Sequence, residues 1–330
     1  MDIRRLRYLS QVFSTAILLG SPLIASAEAA ADYPTRPVRL IVPYTPGGIV
    51  DIVARITATA LAGQLGQSVI VDNRSGAGGT IGMKALAVAA PDGYTLGIAT
   101  TGPLAIMPAL QRSKAYDPLR DFAPISLVAT APQLLLVHPS LPVHSVKELV
   151  SYARSRQGEL SYASAGVGTT GHLAGALFES LADVDLLHVP YTGNQGALRD
   201  VLAGRVQILF SPLPPVLQDI RAGKLRALAV AGTTRSKLLP HVPTIAEAGL
   251  PGGEAPVWYG LVAPANTPRA IVDKLLHALR AATAAQKLPR QLLESGADPE
   301  LSTPESFQRL IADENIKWKR IIEQRGIRPE

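Results

Sequence analysis

Two glycine-rich stretches carry the residue types that bind anions. One is PYTPGG at 43–48, and the other is SAGVGTTGH at 164–172. The first N–H groups of a helix have no intrahelical acceptor, and with the helix dipole they favour a carboxylate or a phosphate. We expect Gly47, Gly48 and Gly168 to be required by backbone conformation or by close approach of a ligand. The two stretches therefore predict two anion-binding loops, and they suggest a ligand with an anionic group at one or both ends.

The second stretch also contains GVGTTG, which reads as the G-x-G-x-x-G fingerprint of a dinucleotide-binding loop. A Rossmann loop also requires an acidic residue at the carboxyl end of the following strand, where it holds the ribose. The next predicted strand, LLHVPY at 186–191, ends in Tyr191, and its nearest acids, Asp183 and Asp185, precede it. We therefore interpret the loop as a site for another anion and expect no bound cofactor. A glycine-rich helix start without any ligand remains the alternative.

Hydroxyl side chains in and near the two stretches are candidate hydrogen-bond donors. The second stretch offers Ser164, Thr169 and Thr170, while Thr100 and Thr101 stand at the carboxyl end of another predicted strand. In doubly wound α/β sheets, ligands bind at the carboxyl ends of strands, beside helix N-termini. We therefore expect these hydroxyls to donate hydrogen bonds to the ligand.

Four further side chains have both a structural and a functional interpretation. Asp51 lies in the first turn of a predicted helix, where the dipole favours an acid in any case. Because a carboxylate repels an anionic ligand, we expect Asp51 to orient the loop or a water. His172 either donates to a carboxylate or is a satisfied structural histidine. Tyr44 and Tyr191 either wall the pocket or belong to the core.

The sequence offers little support for catalysis. There is no G-x-S-x-G, no H-E-x-x-H and no cysteine. The six histidines show no spacing typical of metal ligands. Serine and threonine hydroxyls without a recognisable histidine–carboxylate partner are better interpreted as hydrogen-bond donors. We predict that the protein is not an enzyme and holds no metal.

The first residues predict export. Three arginines precede an apolar stretch at 12–24, and Ala-Ser-Ala at 25–27 forms an A-x-A cleavage signal. We interpret 1–27 as a signal peptide, with cleavage as late as residue 31 also open. A transmembrane anchor is the weaker alternative, because the apolar run is too short to cross about 30 Å of hydrocarbon. The absence of cysteine excludes disulfides and a lipid-modified cysteine.

Charge and composition argue against a nucleic-acid partner. The net charge of the full chain is +6, its basic residues are scattered, and only 5% of its residues are aromatic. A nucleic-acid site needs a clustered basic patch. A mildly positive surface favours anionic ligands, though weakly. We expect the mature protein to be a soluble monomer.

Apolar periodicity alternates between that of strands and that of helices. Predicted strands lie at 38–44, 68–73, 94–100, 134–140, 160–165, 186–191, 206–211, 225–231 and 258–264, and predicted helices at 49–66, 80–90, 172–182, 194–204 and 268–283. Short strands alternating with helices indicate parallel, doubly wound α/β sheets. We interpret the proline-rich stretches near 124–143 and 240–256 as crossings between two lobes.

The chain resembles the Bug proteins, the periplasmic substrate-binding receptors of tripartite tricarboxylate transporters. The resemblance is carried by VRLIVPYTPGGIVDIVARITATALAGQLGQSVIVDN, AYDPLRDFAPISLVA, GVGTTGHLAG, YTGNQGALRDVLAGRVQ, HVPTIAEAGL and WYGLVAPANTP, and it ends near STPESFQRLIADENIKW. It implies a type II periplasmic binding protein fold, with two doubly wound α/β lobes joined by two crossing segments. Lobe 1 would comprise 32–131 and 254–330, and lobe 2 would comprise 132–253. The resemblance also implies localisation in the periplasm.

A small carboxylate is the ligand that the resemblance implies. The family binds di- or tricarboxylates, acidic amino acids or aromatic acids, and one carboxylate is commonly held by the loop that matches Tyr44 to Asp51. The other lobe contributes the segment that matches Ser164 to His172, which coincides with the second predicted anion loop. The family often has an acidic residue in place of Ser211, and such an acid can face a ligand's ammonium group. Ser211 therefore favours a carboxylate without an amine.

These arguments combine into one set of predicted ligand-binding residues. They are Tyr44, Gly47, Gly48, Ile49, Asp51, Thr100, Thr101, Ser164, Gly168, Thr169, Thr170, His172, Tyr191 and Ser211. The hypothesis is a periplasmic receptor that captures a di- or tricarboxylate or an aromatic acid between two lobes. It would deliver that ligand to the membrane subunits of a tripartite tricarboxylate transporter. A sensor that presents its bound form to a membrane signalling protein remains the alternative, and a secreted hydrolase or dehydrogenase is the third class.

Overall fold

The computed structural model of the protein describes residues 32–111, 115–191 and 193–328. The chain divides after Tyr33 into two units, and the helices and strands named below belong to the second unit, Pro34–Glu330. The predicted signal peptide lies outside the described residues. Within the described ranges, no helix is long and apolar enough to cross a membrane.

The first lobe is built on a mixed sheet of six strands. Its strands are β1 Val38–Val42, β2 Val69–Asn73, β3 Thr95–Thr100, β4 Phe122–Ala131, β10 Val257–Pro264 and β11 Asp298–Pro299. They lie in the order β11-β4-β10-β3-β1-β2. β1 runs parallel to β2 and β3, whereas β10 runs antiparallel to β3 and β4. All residues of β1 except Arg39 are buried, as expected for a strand that is covered on both faces.

Helices cover this sheet. They are α1 Ile49–Leu65, α2 Thr80–Ala87, α3 Met107–Leu110, α8 Arg269–Ala284, α9 Lys287–Glu294 and α10 Pro304–Gln324. A π-helical turn at Gly102–Ile106 leads into α3. α1 packs against α8 and buries an apolar stripe that includes Val53 and Leu61. It ends at Gly66, whose φ of 70° favours glycine and whose N–H donates to the carbonyl of Ala62.

The second lobe is built on five strands. They are β5 Gln133–Val137, β6 Ser161–Ser164, β7 Leu187–Pro190, β8 Ile208–Pro212 and β9 Arg226–Ala231, with helices α4 Val146–Arg154, α5 Thr170–Ala182, α6 Asn194–Leu202 and α7 Leu217–Arg221. The strand order is β7-β6-β8-β5-β9. β6 runs parallel to β7 and β8, whereas β5 runs antiparallel to β8 and β9. The carboxyl ends of β6 and β7 therefore lie at the same edge of the sheet, where α5 and α6 begin.

The chain crosses between the two sheets twice. Pro132 separates β4 from β5, and residues 232–256 separate β9 from β10. The first crossing is shorter than the predicted 124–143, because residues 124–131 belong to β4. The predicted parallel pairing holds for β1–β3 and for β6–β8, but the strands next to the crossings run antiparallel to their neighbours. The strand after a crossing, β5 or β10, enters its sheet from the side nearest the other lobe. It therefore runs opposite to the strands β6 and β3, whose carboxyl ends lie on that side.

One hydrophobic core continues from the first lobe into the second. α10 contributes the buried side chains of Phe307, Trp318 and Ile321, and α5 contributes Leu173 and Phe178. α10 contacts β4 and α3 in the first lobe and α5 in the second. The lobes are therefore joined by packed side chains as well as by the two crossings.

Candidate functional site

The first predicted anion loop leads from β1 into α1. The first N–H groups of this 17-residue helix have no intrahelical acceptor, and no side chain caps them at Gly48. Gly47 has a φ of +87°, and a Cβ built on it meets nothing within 4 Å, while one on Gly48 meets only the carbonyl of Thr45 at 4.0 Å. The space beside both glycines is open. Ile49 begins the helix, so its N–H lies at the dipole's positive end.

Asp51 fixes the shape of this loop. Its Oδ2 accepts from the N–H of Gly47 at 3.0 Å and from Nε of Arg55 at 2.9 Å. Its Oδ1 accepts from Nδ2 of Asn73 at 2.9 Å, and the same Asn73 amide donates to the carbonyl of Tyr44 at 3.0 Å. Burial acts to raise the pKa of Asp51, but the hydrogen bonds from Arg55, Gly47 and Asn73 and the charge of Arg55 lower it overall. The ionised carboxylate therefore orients the loop, as expected for an acid that would repel an anion.

Asn73 supports this loop, and the sequence interpretation missed it. It ends β2, which is the neighbour of β1 in the sheet. The rule that singled out Thr100, a polar residue at the carboxyl end of a strand, applies equally to Asn73. Its amide links the two strand ends by donating to both Asp51 and Tyr44.

The other predicted hydroxyls of lobe 1 are bonded within the protein. The hydroxyl of Tyr44 is hydrogen-bonded to Thr100, and burial raises the pKa of Tyr44 despite that bond. Thr101 is fully buried. Its Oγ1 accepts from the N–H of Trp258 at 3.1 Å and donates to the carbonyl of Pro256 at 3.5 Å. Thr101 thus joins the end of β3 to the start of β10, and a role for it toward a ligand stays a prediction.

The second predicted loop leads from β6 into α5, and its own hydroxyls shape it. Oγ of Ser164 accepts from the N–H of Gly166 at 3.1 Å. Oγ1 of Thr169 donates to the carbonyl of Gly166 at 2.7 Å and caps α5 by accepting from the N–H of His172 at 3.5 Å. The half-buried Thr170 is the first residue of α5, and its hydroxyl has no hydrogen-bond partner among the described residues. Thr170 is therefore the predicted donor that remains available.

His172 supports this loop from inside lobe 2. Its side chain is 6% exposed, and Nδ1 accepts from the N–H of Gly168 at 3.1 Å. Its ring stacks on that of His188, with centroids 3.8 Å apart and an interplanar angle of 2°. Nε2 of His188 and Oγ of Ser164 are hydrogen-bonded at 2.7 Å. The two imidazoles therefore stabilise the loop, His172 through the N–H of Gly168 and His188 through the hydroxyl of Ser164. The sequence interpretation missed His188.

Both imidazoles are neutral at physiological pH. Desolvation lowers the pKa of His172 to about 3, and the adjacent His188 contributes to the same shift. Burial lowers the pKa of His188 to about 4. Protonation of Nδ1 of His172 would also remove the acceptor of the Gly168 N–H. A neutral His172 cannot attract a carboxylate by charge.

Acid should therefore destabilise the fold through the histidine pair. Above pH about 6.5, the ordinary pKa of histidine, His172 and His188 are mostly neutral in both the folded and the unfolded state. Below that pH the two histidines take up protons in the unfolded chain but stay neutral in the folded protein. The free energy of unfolding then falls by at most about 2.7 kcal/mol per pH unit for two histidines. The fall levels off near the folded pKa values of about 4 and about 3.

Urea unfolding at pH 7, 6 and 5 measures this effect. His188→Gln, which keeps a hydrogen-bonding group for Ser164, should reduce the pH dependence of the unfolding free energy by about half, since one of two proton uptakes is removed. His277→Gln, at an exposed position, is the matched control and should leave the dependence unchanged. If the unfolding free energies of the parent and of His188→Gln changed equally with pH, the pH dependence would not come from the histidine pair.

Tyr191 and Ser211 are also bonded internally. The hydroxyl of Tyr191 donates to Oδ2 of Asp200 on α6 at 2.8 Å. Oγ of Ser211 donates to the carbonyl of Pro212 at 3.1 Å, and Ser211 is 4% exposed. Both hydroxyls thus donate to acceptors within the protein. Contact of Tyr191 or Ser211 with a ligand stays a prediction.

The loop of lobe 2 meets lobe 1 at Gly168. This residue has a φ of +75°, and a Cβ built on it would lie 2.6 Å from Cδ2 of Leu110 and 3.5 Å from Sδ of Met107. Met107 also packs on Gly78, where a Cβ would lie 2.7 Å from the same sulfur. Helix α3 therefore lies against glycines of both lobes, and it was not predicted as part of the site.

Two surface cavities of lobe 1 lie away from both loops. One, of about 250 Å³, is lined by residues that include Phe122, Arg269 and Glu305. Its neighbour, of about 340 Å³, is lined by residues that include Leu119 and Glu305. Arg269 is ion-paired with Glu305 at 2.9 Å, and that acid borders both cavities. Neither cavity is lined by a residue of the two predicted loops.

Two α/β lobes with loops at the carboxyl ends of their strands form the architecture of a two-lobed ligand-binding fold. The chain belongs to the tripartite tricarboxylate transporter receptor family, because residues 53–327 match the model described as "Tripartite tricarboxylate transporter family receptor". Members of this family are solute receptors and not enzymes, as the sequence predicted.

Known proteins similar to this chain include Bug proteins. It is 37% identical over 311 residues to the protein BugT of Bordetella pertussis, which covers 94% of this chain and 95% of BugT. A solved R. palustris protein with adipate is 41% identical, with a TM-score of 0.79, over 90% of this chain and 100% of that one. MatC from Rhodopseudomonas palustris with bound malate is 34% identical, with a TM-score of 0.75, over 88% and 100%. These likenesses confirm the resemblance to the Bug family and the type II periplasmic binding protein fold.

Proposed function

We propose that the protein is a periplasmic receptor that holds a small dicarboxylate between its lobes and delivers it to the membrane subunits of a tripartite tricarboxylate transporter. The observation that carries this proposal is the uncapped start of α1 beside the open Gly47 and Gly48. The similar structures with adipate and malate support a dicarboxylate. In the same proposal, residues 1–27 are a signal peptide, lobe 1 comprises 32–131 and 254–330, and lobe 2 comprises 132–253.

Two anchors on different lobes explain how binding is coupled to closure. One carboxylate would accept from the N–H groups at the start of α1, and the other would accept from the hydroxyl of Thr170 and the start of α5. A ligand shifts a conformational equilibrium only through its differential affinity for the two states. A dicarboxylate that contacts both lobes satisfies that condition, whereas a monocarboxylate held by α1 alone does not. Buried Ser211 offers no negative charge to an ammonium group, which favours dicarboxylates over acidic amino acids.

Thermal unfolding of residues 28–330 against a ligand panel tests the proposal. The panel contains adipate, malate, citrate, benzoate, glutamate and NAD. A ligand at 100 times its Kd adds about 2.7 kcal/mol to the free energy of unfolding, which a melting curve detects readily. We expect adipate or malate to raise Tm and NAD to leave it unchanged. A shift with NAD alone would make 166–171 a dinucleotide loop and would overturn the proposal.

Replacing Thr170 with valine should separate binding from stability. The change removes a hydroxyl without an internal partner, so we expect Tm to stay near that of the parent. The binding free energy for adipate should weaken by about 1.5–3 kcal/mol, the usual contribution of a hydrogen bond to a charged group. Thr169→Val is the matched control, because it removes the cap of α5 and should lower the free energy of unfolding by about 1 kcal/mol. Calorimetric titration measures the affinity of both variants for adipate. Undiminished affinity in Thr170→Val would show that Thr170 does not belong to the site.

A further inference from the structure

Helix α10 runs along both lobes. It has 21 residues and is about 31 Å long at a rise of 1.5 Å per residue. Pro304 in its first turn lines a cavity with Phe122, the first residue of β4 in lobe 1. Near its other end, Ile321 and Ile322 are buried in the core that includes residues of α5. One helix therefore begins on lobe 1 and ends against lobe 2.

Arg325, directly after α10, makes ionic contacts with lobe 2. Its Nη2 donates to Oε1 of Glu179 at 2.8 Å and to Oδ1 of Asp185 at 3.1 Å. Glu179 belongs to α5 and is 5% exposed, and its Oε1 also accepts from the N–H of Leu186 at 2.9 Å. A buried carboxylate is costly unless it is paired and hydrogen-bonded. Arg325 supplies the positive charge that pairs with Glu179, and in doing so it fixes the end of α10 to α5.

The opposite end of α5 also touches lobe 1. Gly168 precedes α5 and lies against Leu110 of α3. α5 is therefore held by lobe 1 at both ends, by α3 near its start and by Arg325 near its end. Thr170 lies on the same helix, so the position of the lobe-2 loop relative to lobe 1 depends on both contacts.

We propose that Arg325 is a positioning residue for ligand binding: by joining α10 to Glu179 and Asp185, it holds lobe 2 in the arrangement that places the 164–172 loop against lobe 1. Arg325 acts at the end of α5 remote from that loop and does not touch the ligand. A ligand that contacts both lobes has an apparent affinity scaled by the population of the competent arrangement. The effect on affinity rests on the proposed function, but the arrangement of the lobes can be measured without any ligand.

The test compares Arg325→Met with Arg290→Met. Arg290 forms an ion pair with Glu294 at 3.0 Å on α9, and both side chains are exposed. Its replacement removes a charge and an ion pair within lobe 1 only. The chain has no cysteine, so cysteines introduced at exposed Lys147 and Lys287 take two spin labels, one on each lobe. Double electron–electron resonance then gives the distance distribution between the labels without ligand, and calorimetry gives the Kd for adipate.

We expect Arg325→Met to shift or broaden the distance distribution and to raise the Kd for adipate about five- to 20-fold. Arg290→Met should match the parent in both measurements. Arg325→Lys keeps the charge but loses the planar guanidinium whose Nη2 donates to both carboxylates, so it should fall between the parent and Arg325→Met. An unchanged distribution with a Kd within about twofold of the parent overturns the proposal. If the parent binds neither adipate nor malate, the proposed function fails, and the distance distributions still test the positioning role.

Discussion

Alanine at position 168 should weaken adipate binding at least about tenfold, because it prevents the lobes from meeting closely. Two costs arise together. A non-glycine residue at the φ of +75° of Gly168 loses about 1–2 kcal/mol to backbone strain. The new Cβ would also lie 2.6 Å from Cδ2 of Leu110, and overpacking of this kind typically costs about 1–3 kcal/mol. Leu110 is itself 6% exposed, so its side chain has little room to move away.

Gly158 provides a matched control for the backbone strain. It also has a φ of +75° and also lies in lobe 2, but a Cβ on it meets nothing within 4 Å. Gly158→Ala should therefore lower the free energy of unfolding by about 1–2 kcal/mol and leave the Kd for adipate unchanged. Gly168→Ala combined with Leu110→Ala should recover part of the lost affinity, since the obstructing side chain is removed. Equal affinities in the two single alanine variants would show that the contact at Gly168 does not govern binding.

Replacing Asp51 with asparagine should have the second large effect, on both binding and stability. The carboxylate accepts three hydrogen bonds, from Gly47, Arg55 and Asn73. An amide carries one acceptor and two donors, so at least one donor group loses its partner, at a cost of about 1–3 kcal/mol. The loop before α1 would lose its fixed shape. We expect Tm to fall and the Kd for adipate to rise at least about tenfold.

Glu305→Gln is the matched control for this substitution. Glu305 pairs with Arg269 at 2.9 Å on the surface of the same lobe, and both side chains are more than half exposed. Exposed ion pairs contribute at most about 1 kcal/mol, so this variant should change neither Tm nor affinity appreciably. Calorimetry and thermal unfolding of the two variants give the comparison. Tighter binding of adipate by Asp51→Asn would contradict the account, because it would mean that Asp51 faces and repels the ligand.

Local sequence patterns predicted most of the elements that position the loops. The apolar stripe of α1 and the glycine at its end are readable without tertiary information, and α1 lies within one residue of its predicted range. Most of β4 was interpreted as part of a crossing because Pro124 within it and Pro132 after it suggested an irregular segment. The antiparallel course of β10 also escaped prediction, since strand periodicity carries no information about direction.

The candidate site was predictable by residue type but not by hydrogen-bond partner. The sequence indicated that Ser164 and Thr169 lie in an anion loop, but each is engaged with Gly166 of the same loop. A hydroxyl that serves a turn cannot be distinguished by spacing from one that serves a ligand. Asn73 and His188 lie far along the chain from the groups they hold, so only the paired strands β1–β2 and β6–β7 bring them into place.

A crystal structure of residues 28–330 with adipate would test the central claim most directly. The account predicts one carboxylate with oxygens about 3 Å from the N–H groups at Gly48 and Ile49, and the other within hydrogen-bond distance of the Thr170 hydroxyl. Adipate bound elsewhere, or bound without contact to either helix start, would contradict the claim that α1 and α5 form the receptor's two anion sites.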